Sequence, residues 1–391
     1  MKLVSDRLRV LHVINGLGGT GGAENRLVEE LLRFDQSVDQ IVVRMYESDF
    51  LQARLEASGV PVVALGRVSG RGAWNWPRAA YDIGRLVGRF EPDVIHTSLF
   101  AANLAGQIAG LRTKIPVIST MTLTGDPALH RRFQPGAGTR RAATLRAMAA
   151  WVARHDGIWY RAVTEDTKQT NCLAMGFPTD RVRVIPRGID IARGQTEPDR
   201  ERFGLPSSVP LIVNVGRLTA QKGQVLLIEA FAQILKTIPD AHLAIAGEDQ
   251  DAARAVRAAV TAHGLGERVH LLGFRSDAGV LMASGDVFVF SSLAEGLGTV
   301  VLEAMVAGLP VVSFDIPPVR EVAGDSGWVD FAPIGDAQAL ADQAVAAWQR
   351  PDRATRAAEA RRWVIDSFDV TGIARRLEEY LRSVARPRVA G

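Results

Sequence analysis

Residues 286–312, "DVFVFSSLAEGLGTVVLEAMVAGLPVV", predict a strand, a glycine loop, a helix and a second strand. The two outer runs are apolar, and the segment between them repeats its apolar residues at three- and four-residue steps. A strand, a helix and a further apolar strand form the repeating unit of a parallel sheet that helices cover on both faces. This stretch therefore predicts an α/β fold.

The same alternation continues through almost the whole chain. Apolar runs extend from "LRVLHVIN" at 8–15 to "GWVDF" at 327–331, and helical patterns separate them. A polar connector rich in proline, glycine and charge, residues 187–210, interrupts the series, which then restarts. A chain of 391 residues is also too long for one ordinary core. We therefore expect two facing, doubly wound, Rossmann-like parallel-sheet domains.

The connector also predicts where the domains end. We expect residues 1–195 and 196–365 to form the two domains, and residues 366–391 to form a C-terminal helix that packs back on the first domain. Ligands bind doubly wound sheets beyond the carboxyl ends of the strands. Two facing domains therefore predict a binding site in the cleft between them.

Composition limits the class of protein. The only cysteine is Cys172, which excludes an intrachain disulfide and a cysteine-based zinc site and favours a reducing compartment. No apolar run approaches the roughly 18 residues that a membrane span needs. The start, "MKLVSDRLRVLHVIN", predicts a first strand rather than a signal peptide. These features predict a soluble, cytoplasmic protein.

Two carboxylates in the first quoted stretch, Glu295 and Glu303, are separated by seven residues. Glu295 falls in the loop, where "GLG" lets the backbone approach a ligand, and Glu303 lies about one turn inside a helix that begins near Thr299. Unpaired N–H groups at a helix start bind phosphate. A carboxylate one turn further on can accept hydrogen bonds from a ribose diol, and a loop carboxylate can meet sugar hydroxyls. The helix dipole also favours acids near a helix start, but it explains only one of the two.

A pair of cations lies upstream. The segment "VGRLTAQKG", residues 215–223, places Arg217 just after a strand and Lys222 just before a helix. Two fixed cations in such a loop can clamp a diphosphate. Taken alone, the pair is explained equally well by two solvated surface cations, but the paired carboxylates that follow favour the clamp.

Together these motifs resemble the GT-B glycosyltransferases of family 4. The resemblance rests on "GGAE" at 21–24, "VIPRGID" at 184–190, "GRLTAQKG" at 216–223 and "EGLGTVVLE" at 295–303, and it covers nearly the whole chain. It implies a retaining, metal-independent enzyme that uses a nucleotide sugar, with UDP as the expected nucleotide. It also implies that the first domain serves the acceptor and the second the donor.

The resemblance assigns side-chain roles in the second domain. Arg217 and Lys222 would hold the donor diphosphate and neutralise the leaving nucleotide. Glu295 would bind the transferred sugar, and Arg217, Lys222 and Glu295 would together be the catalytic residues. Glu303 would bind the ribose hydroxyls.

The resemblance also assigns contacts made largely by the backbone. Phosphate would meet N–H groups near Gly298, Thr299 and Val300. Phe274 and Arg275 would lie beside the base.

From the first domain, Gly21 and Gly22 would reach the same phosphates. Read literally, Gly16, Gly18 and Gly21 match the G-x-G-x-x-G dinucleotide motif. The motifs of the second half indicate that this match is coincidental.

The chain departs from the family pattern at two places. Met121 and Thr122 stand where many members carry a histidine that contacts the donor sugar, so either Thr122 supplies that contact or the sugar pocket differs. Arg187 replaces the asparagine of the "VIPNG" pattern. His96, at the end of the strand "DVIHTS", is a further candidate for substrate binding, with a structural role as the favoured alternative.

A metal site is not expected. Asp249 and Asp251 match the DxD metal motif of a different glycosyltransferase fold, but they open a predicted helix, where aspartates serve as caps. The seven histidines include no pair at ligand spacing on a common helix. We expect no metal and no cofactor.

Residues 130–161 hold seven arginines and one acid, Asp156. A basic helix with tryptophan and methionine can lie on an anionic membrane surface, here the inner face of the membrane, or hold a lipid-diphosphate acceptor. A solvated helix packed on its own sheet explains the segment equally well. The chain shows no basic platform interleaved with aromatics, so we expect no nucleic-acid partner.

The sequence thus predicts a retaining glycosyltransferase of the hexosyl type. It would move a sugar from an NDP-sugar to a hydroxyl of a saccharide or lipid-linked acceptor, for a surface polysaccharide or glycolipid. Two alternatives remain open: a sugar-nucleotide epimerase of similar fold, which needs no acceptor, and a non-catalytic partner that binds a sugar nucleotide.

Overall fold

The computed structural model describes residues 7–19, 22–67, 76–133, 139–324 and 327–387. The chain forms two compact units, Met1–Gly188 together with Val370–Gly391, and Ile189–Asp369. The sequence led us to expect boundaries after residues 195 and 365, whereas these units divide after Gly188 and Asp369.

The first unit contains a seven-stranded parallel sheet. Its strands are β1 (Leu8–Ile14), β2 (Val38–Tyr46), β3 (Val62–Arg67), β4 (Val94–Ser98), β5 (Val117–Met121), β6 (Ile158–Ala162) and β7 (Val182–Val184). Their order across the sheet is β3-β2-β1-β4-β5-β6-β7. Its helices are α1 (Gly22–Leu31), α2 (Gln52–Glu56), α3 (Trp76–Phe90), α4 (Phe100–Thr113), α5 (Pro127–Phe133), α6 (Arg140–Ala153), α7 (Glu165–Met175) and the last helix of the chain, Val370–Val384.

The second unit contains a six-stranded parallel sheet. Its strands are β8 (Leu211–Val215), β9 (His242–Ala246), β10 (Val269–Leu271), β11 (Val287–Phe290), β12 (Val311–Phe314) and β13 (Val329–Ala332). Their order is β10-β9-β8-β11-β12-β13. Its helices are α8 (Ile191–Gly194), α9 (Gln224–Ile234), α10 (Ala253–Ala262), α11 (Ala278–Ala283), α12 (Thr299–Val306), α13 (Pro317–Ala323), α14 (Ala337–Gln349) and α15 (Arg353–Phe368), and the last helix of the chain is α16.

The burial of the strands explains why their sequences do not alternate between apolar and polar residues. All residues of β4, β5 and β9 are buried, because helices cover both faces of each sheet. The predicted α/β class with two Rossmann-like parallel sheets is therefore confirmed. Among the described residues, no helix is long and apolar enough to cross a membrane.

The C-terminal helix α16 belongs to the core of the first unit. Its apolar face packs with residues of β1, β4 and β5, through Ile373, Leu377, Tyr380 and Leu381. The Tyr380 hydroxyl also donates a hydrogen bond to the carbonyl oxygen of Tyr160, 3.1 Å away. Burial of these side chains holds the chain end against the first sheet.

A buried ion cluster corrects the interpretation of Arg161 as part of the basic segment. Arg161, counted above with the basic segment, is fully buried and donates two hydrogen bonds, of 2.8 and 2.7 Å, to the Glu30 carboxylate. Arg187, which replaces the family asparagine, donates to the same carboxylate at 2.6 Å and to the Ser98 hydroxyl at 3.3 Å. Burial alone would raise the pKa of Glu30, but the two guanidinium groups outweigh it and lower that pKa.

Candidate active site

The strand order of the second sheet reverses between β8 and β11, with β9 and β10 on one side and β12 and β13 on the other. Loops that leave the carboxyl ends of adjacent strands at such a reversal diverge and leave a crevice, where doubly wound sheets bind ligands. Arg217 follows β8 and Glu295 follows β11. The structure therefore brings the two main sequence motifs to one crevice of the second unit.

Arg217 lies in a loop that neighbouring backbone holds in place. The N–H of Gly216 donates to the carbonyl of Ala246, and the N–H of Leu218 donates to that of Glu248, both at 2.9 Å. The Arg217 side chain is exposed, and its Nη1 lies 3.4 Å from Oε1 of Gln250. The backbone is thus fixed while the guanidinium is accessible to a ligand.

Lys222 ends a short 3₁₀ turn, Ala220–Lys222, just before α9. Its Nζ donates a 2.5 Å hydrogen bond to Oε1 of Glu295 and lies 5.6 Å from the ring centre of Phe290. The Lys222 and Glu295 side chains are 19% and 11% exposed, so the pair is largely shielded from water. The predicted phosphate-binding cation and the predicted sugar-binding carboxylate are therefore in direct contact.

Glycine is required between Lys222 and α9. Gly223 has φ +63, and a Cβ there would lie 2.2 Å from the carbonyl oxygen of Ser291. The turn that carries Lys222 can therefore sit directly against the chain that leaves β11.

Further hydrogen bonds fasten these two loops together. The N–H of Leu293 donates to the carbonyl of Gln221 at 2.9 Å, and Nε2 of Gln221 donates to the carbonyl of Ala294 at 2.6 Å. The Ser291 hydroxyl donates to the carbonyl of Lys222 at 2.8 Å. Sequence reasoning missed Gln221 and Ser291, because nothing in their spacing distinguishes them from other polar loop residues.

The helix start predicted near Thr299 is confirmed. Gly298, at φ +80, is the N-cap of α12, and Thr299 and Val300 are its first two residues. The N–H groups at these positions have no acceptor within a helix and can donate to an anion. Glu303 is half-buried one turn inside the helix, as expected.

Phe274 and Arg275 follow β10 in the same unit. The N–H of Gly247 donates to the carbonyl of Gly273 at 2.8 Å, which fixes this loop beside the end of β9. Phe274 is 50% exposed. Arg275 donates two 2.8 Å hydrogen bonds to Asp277, and these bonds lower the pKa of that carboxyl. The Arg275 guanidinium is thus engaged, which leaves the aromatic face and the backbone for a ligand.

The glycine loop of the first unit is needed for internal packing. A Cβ at Gly18 would lie 2.4 Å from Oγ of Ser48, and Gly19 has φ +78. The N–H of Gly19 donates to Glu24 of α1 at 3.1 Å. Gly22 is the first residue of α1. Gly21, predicted to contact phosphate, lies outside the described residues.

Of the two first-unit side chains predicted to bind substrate, Thr122 is half-buried just after β5, and His96 is enclosed. His96 is 1% exposed; its Nδ1 lies 3.1 Å from Nδ1 of His12 and its Nε2 lies 2.9 Å from Oγ1 of Thr120. Burial lowers the pKa of His12 to about 3 and that of His96 well below its ordinary value. Because His96 is enclosed by the protein, we leave it out of the proposed donor site.

Two family models match the chain, one in each half. The Glycosyl transferase 4-like domain matches residues 18–188, and Glycosyl transferases group 1 matches residues 195–364. The two matches together cover most of the chain, which is a GT-B glycosyltransferase. The second match covers both loops of the crevice described above.

Known proteins similar to this glycosyltransferase differ in how much of their length they share with it. The 2-deoxystreptamine glucosyltransferase of Streptomyces kanamyceticus is 26% identical over 88% of this chain and 91% of its own. The phosphatidyl-myo-inositol mannosyltransferase of Mycobacterium leprae is 32% identical over 47% of this chain and 48% of its own. The chain spans about a third to a half of the length of the curated relatives that it matches at more than 30% identity.

A solved structure has the same GT-B fold as this glycosyltransferase. HepE of Anabaena, in complex with UDP and glucose, superposes with a TM-score of 0.82 at 24% identity. The match covers 96% of this chain and 100% of that one.

The DxD-like segment of this glycosyltransferase is engaged in an ion pair. Oδ2 of Asp249 lies 2.6 Å from Nη2 of Arg257, and both side chains are about half exposed. The expectation that these aspartates cap a helix is wrong, because α10 begins at Ala253 with Ala252 as its N-cap. In the part of the chain that the structure describes, no group of three or more His, Cys, Asp or Glu side chains could hold a metal.

The basic segment of this glycosyltransferase includes α5 and α6. Trp151 is 58% exposed on α6, whereas Val152 and Ala153 are buried in the core. Arg140 and Arg154 are exposed at the two ends of α6. On α7, which packs against α6, Leu173 is 90% exposed. The basic segment and the adjacent helix α7 therefore together present arginines and apolar side chains to solvent.

Proposed function

We propose that this chain is a retaining glycosyltransferase that moves a hexose from an NDP-sugar, with UDP as the expected nucleotide, to a hydroxyl acceptor. One observation carries the proposal. The Arg217–Lys222 loop and the Glu295–Glu303 segment meet at the β8/β11 crevice, where Lys222 and Glu295 touch. A cation assigned to the diphosphate and a carboxylate assigned to the transferred sugar are thus in contact.

The chemistry follows from where charge develops. As the glycosidic bond to the donor phosphate breaks, negative charge builds on the departing diphosphate. Arg217, Lys222 and the N-terminus of α12 supply fixed positive potential there, which stabilises the transition state. We assign Glu295 to hydroxyls of the transferred sugar and Glu303 to the ribose diol. Glycine at Gly298 lets the α12 backbone approach the phosphates.

Retention requires the acceptor to attack the face from which the diphosphate leaves. In the proposed route the leaving phosphate oxygen takes the proton of the acceptor hydroxyl, so no enzymic nucleophile and no metal ion is required. The names of the relatives, a glucosyltransferase and a mannosyltransferase, and the UDP and glucose bound to the structural neighbour support a sugar-nucleotide donor. The same names support a saccharide or lipid-linked acceptor.

A panel of sugar nucleotides tests this proposal. Thermal unfolding is measured with UDP-glucose, UDP-N-acetylglucosamine, GDP-mannose and NADH, and stabilising donors are then assayed for slow hydrolysis by NMR. We expect one or more sugar nucleotides, and not NADH, to stabilise the protein, and the released sugar to keep the donor's anomeric configuration. Conversion of donor alone to an isomer would identify an epimerase, and stabilisation by NADH alone would overturn the proposal.

We further propose that the enzyme contacts an anionic membrane through α6 and α7. Trp151 and Leu173 are exposed apolar side chains, and Arg140 and Arg154 are exposed cations on the same pair of helices. Aromatic and apolar groups enter the headgroup region, while arginines pair with anionic lipids. A lipid-linked acceptor would then be presented at this face.

Vesicle sedimentation tests this contact. We expect the protein to bind phosphatidylserine vesicles at low salt and to be released as salt rises. Replacing Trp151, Arg140 and Arg154 by Ser should abolish binding without changing UDP affinity. Replacing the exposed Arg254 and Arg362 of the second unit, which removes the same charge, is the matched control. Equal binding by both variants would contradict the proposal.

A further inference from the structure

Gln224, the first residue of α9, is a buried glutamine beside the cation loop. Its side chain is enclosed, with the residue 1% exposed. Its Nε2 donates hydrogen bonds to the carbonyl oxygens of Gly216 and Arg217, at 3.1 and 3.0 Å. One amide group thus ties two successive carbonyls of a different loop.

The peptide that Gln224 binds is also held from the opposite side. The N–H of Gly216 donates to the carbonyl of Ala246 at 2.9 Å. A Cβ at Gly247 would lie 1.9 Å from the carbonyl oxygen of Gly216. The backbone after β9 and the backbone after β8 can therefore pack this closely only with glycine at position 247. Gly216 is only partly buried and Arg217 is exposed, so Gln224 and the chain after β9 hold this loop without enclosing it.

The direction of the Arg217 side chain depends on this peptide. The guanidinium is exposed, and its hydrogen bond to Gln250, at 3.4 Å, is long. Contacts of the Arg217 guanidinium with the protein therefore do little to orient this side chain. The backbone at Arg217 sets where the side chain starts, and Gln224 holds that backbone together with the N–H of Thr219, which donates to the carbonyl of Arg217 at 2.8 Å.

Gln224 also stands two residues after Lys222, in a segment that is fastened to the chain after β11. The carbonyl of Lys222 accepts from Ser291, and Gln221 bonds to Ala294. Through its bonds to the Arg217 loop, Gln224 joins this fixed segment to the first cation. The two segments that carry the cations are thereby hydrogen-bonded to each other.

The buried amide uses its donor but not its acceptor. Its Nε2 bonds to two carbonyl oxygens, whereas among the described residues no group donates a hydrogen bond to Oε1 of Gln224. A buried acceptor without a partner is destabilising, so the contribution of this amide comes from the two hydrogen bonds that it donates. Those bonds act on the shape of the Arg217 loop.

We propose that Gln224 is a positioning residue of the donor site, which holds Arg217 at the correct distance from Lys222 to grip a nucleoside diphosphate. This inference rests on the proposed function. A displaced cation loses much of its effect on an oriented anion, since errors near 1 Å can cost up to about a hundredfold. We expect removal of the Gln224 amide to weaken UDP binding about tenfold or more.

A double-mutant cycle tests the inference. Affinity for UDP, and for GDP in parallel, is measured by calorimetry for wild type, Gln224→Leu, Arg217→Ala and the double variant. We expect Gln224→Leu to weaken binding about tenfold in the wild-type background and less than about twofold in the Arg217→Ala background. Equal losses in both backgrounds, or no loss in either, would overturn the positioning role.

Two further variants keep the test decisive. Gln233→Leu, on the same helix about 13 Å further along, is the matched control and should bind UDP normally. If Gln224→Leu fails to fold, Gln224→Glu keeps the shape. Its carboxylate lacks the donor at neutral pH but regains one on protonation, so its UDP affinity relative to wild type should rise as pH falls. A flat ratio would count against the role, whereas wild type that binds neither nucleotide would instead refute the proposed function.

Discussion

Replacing Glu295 by glutamine should strengthen UDP binding while slowing sugar transfer. Nζ of Lys222 is bonded to Glu295 at 2.5 Å in a largely shielded position. A diphosphate that binds Lys222 must share this ammonium and must also approach the Glu295 carboxylate. Glutamine keeps the shape of the side chain but removes both the ion pair and the repulsion.

The size of the effect follows from the bond that is lost. A hydrogen bond to a charged group contributes roughly 1.5–3 kcal/mol. If about half of that is recovered when the ammonium is released for phosphate, the gain is about 0.8–1.5 kcal/mol, which corresponds to about 4- to 12-fold in affinity. The same substitution weakens the contact to the sugar hydroxyls, so turnover at saturating donor should fall by at least about tenfold.

Calorimetry with UDP and a turnover assay with the sugar nucleotide measure the two effects separately. Glu303→Gln is the contrasting control, because the ribose contact assigned to Glu303 predicts weaker UDP binding, the opposite sign. Unchanged or weaker UDP binding by Glu295→Gln would show that Lys222 does not exchange Glu295 for phosphate.

Activity should survive EDTA and the substitutions Asp249→Ala and Asp251→Ala, because the two cations and the helix start supply the positive charge; loss in EDTA with recovery in manganese would contradict this. The free energy of unfolding, measured in urea, should decrease as the pH is lowered from 7.5 to 5. The folded-state pKa of His12, lowered by burial to about 3, lies below its unfolded value, so the unfolded chain binds more protons below about pH 6.5; the loss at pH 5 is about 2 kcal/mol for His12, and His96 adds to it. Stability that is flat over this range would show that these imidazoles are charged in the fold. Glu30→Gln should destabilise by about 3–5 kcal/mol because it leaves two buried arginines uncompensated, and a loss below about 1 kcal/mol would contradict that account.

The sequence predicted the strands well because burial on both faces leaves a simple pattern. Each apolar run singled out in the two halves corresponds to a strand, and "EGLGTVVLE" holds the helix start where it was expected. These features depend on neighbouring residues, so local pattern is sufficient to find them.

Features that depend on distant partners were not predicted. Arg161 was counted with a surface segment, but it pairs with Glu30, 131 residues away. The structural role of Arg187 was equally hidden, because its partner lies 157 residues earlier. Gln224 resembles any polar residue at a helix start until the fold brings the Gly216–Arg217 peptide to its amide. Pairings of this kind arise from topology and leave no mark on local periodicity.

The central claim is that Arg217 and Lys222 bind the diphosphate of a nucleotide sugar without a metal ion. Its most direct test is a calorimetric titration with UDP in EDTA, on wild type and on the Arg217→Ala/Lys222→Ala double variant, with thermal unfolding to verify that both are folded. Each charge-assisted hydrogen bond contributes roughly 1.5–3 kcal/mol, so the account predicts saturable binding by wild type and a loss of at least about 100-fold in the variant. A folded double variant that binds UDP as tightly as wild type would contradict the account.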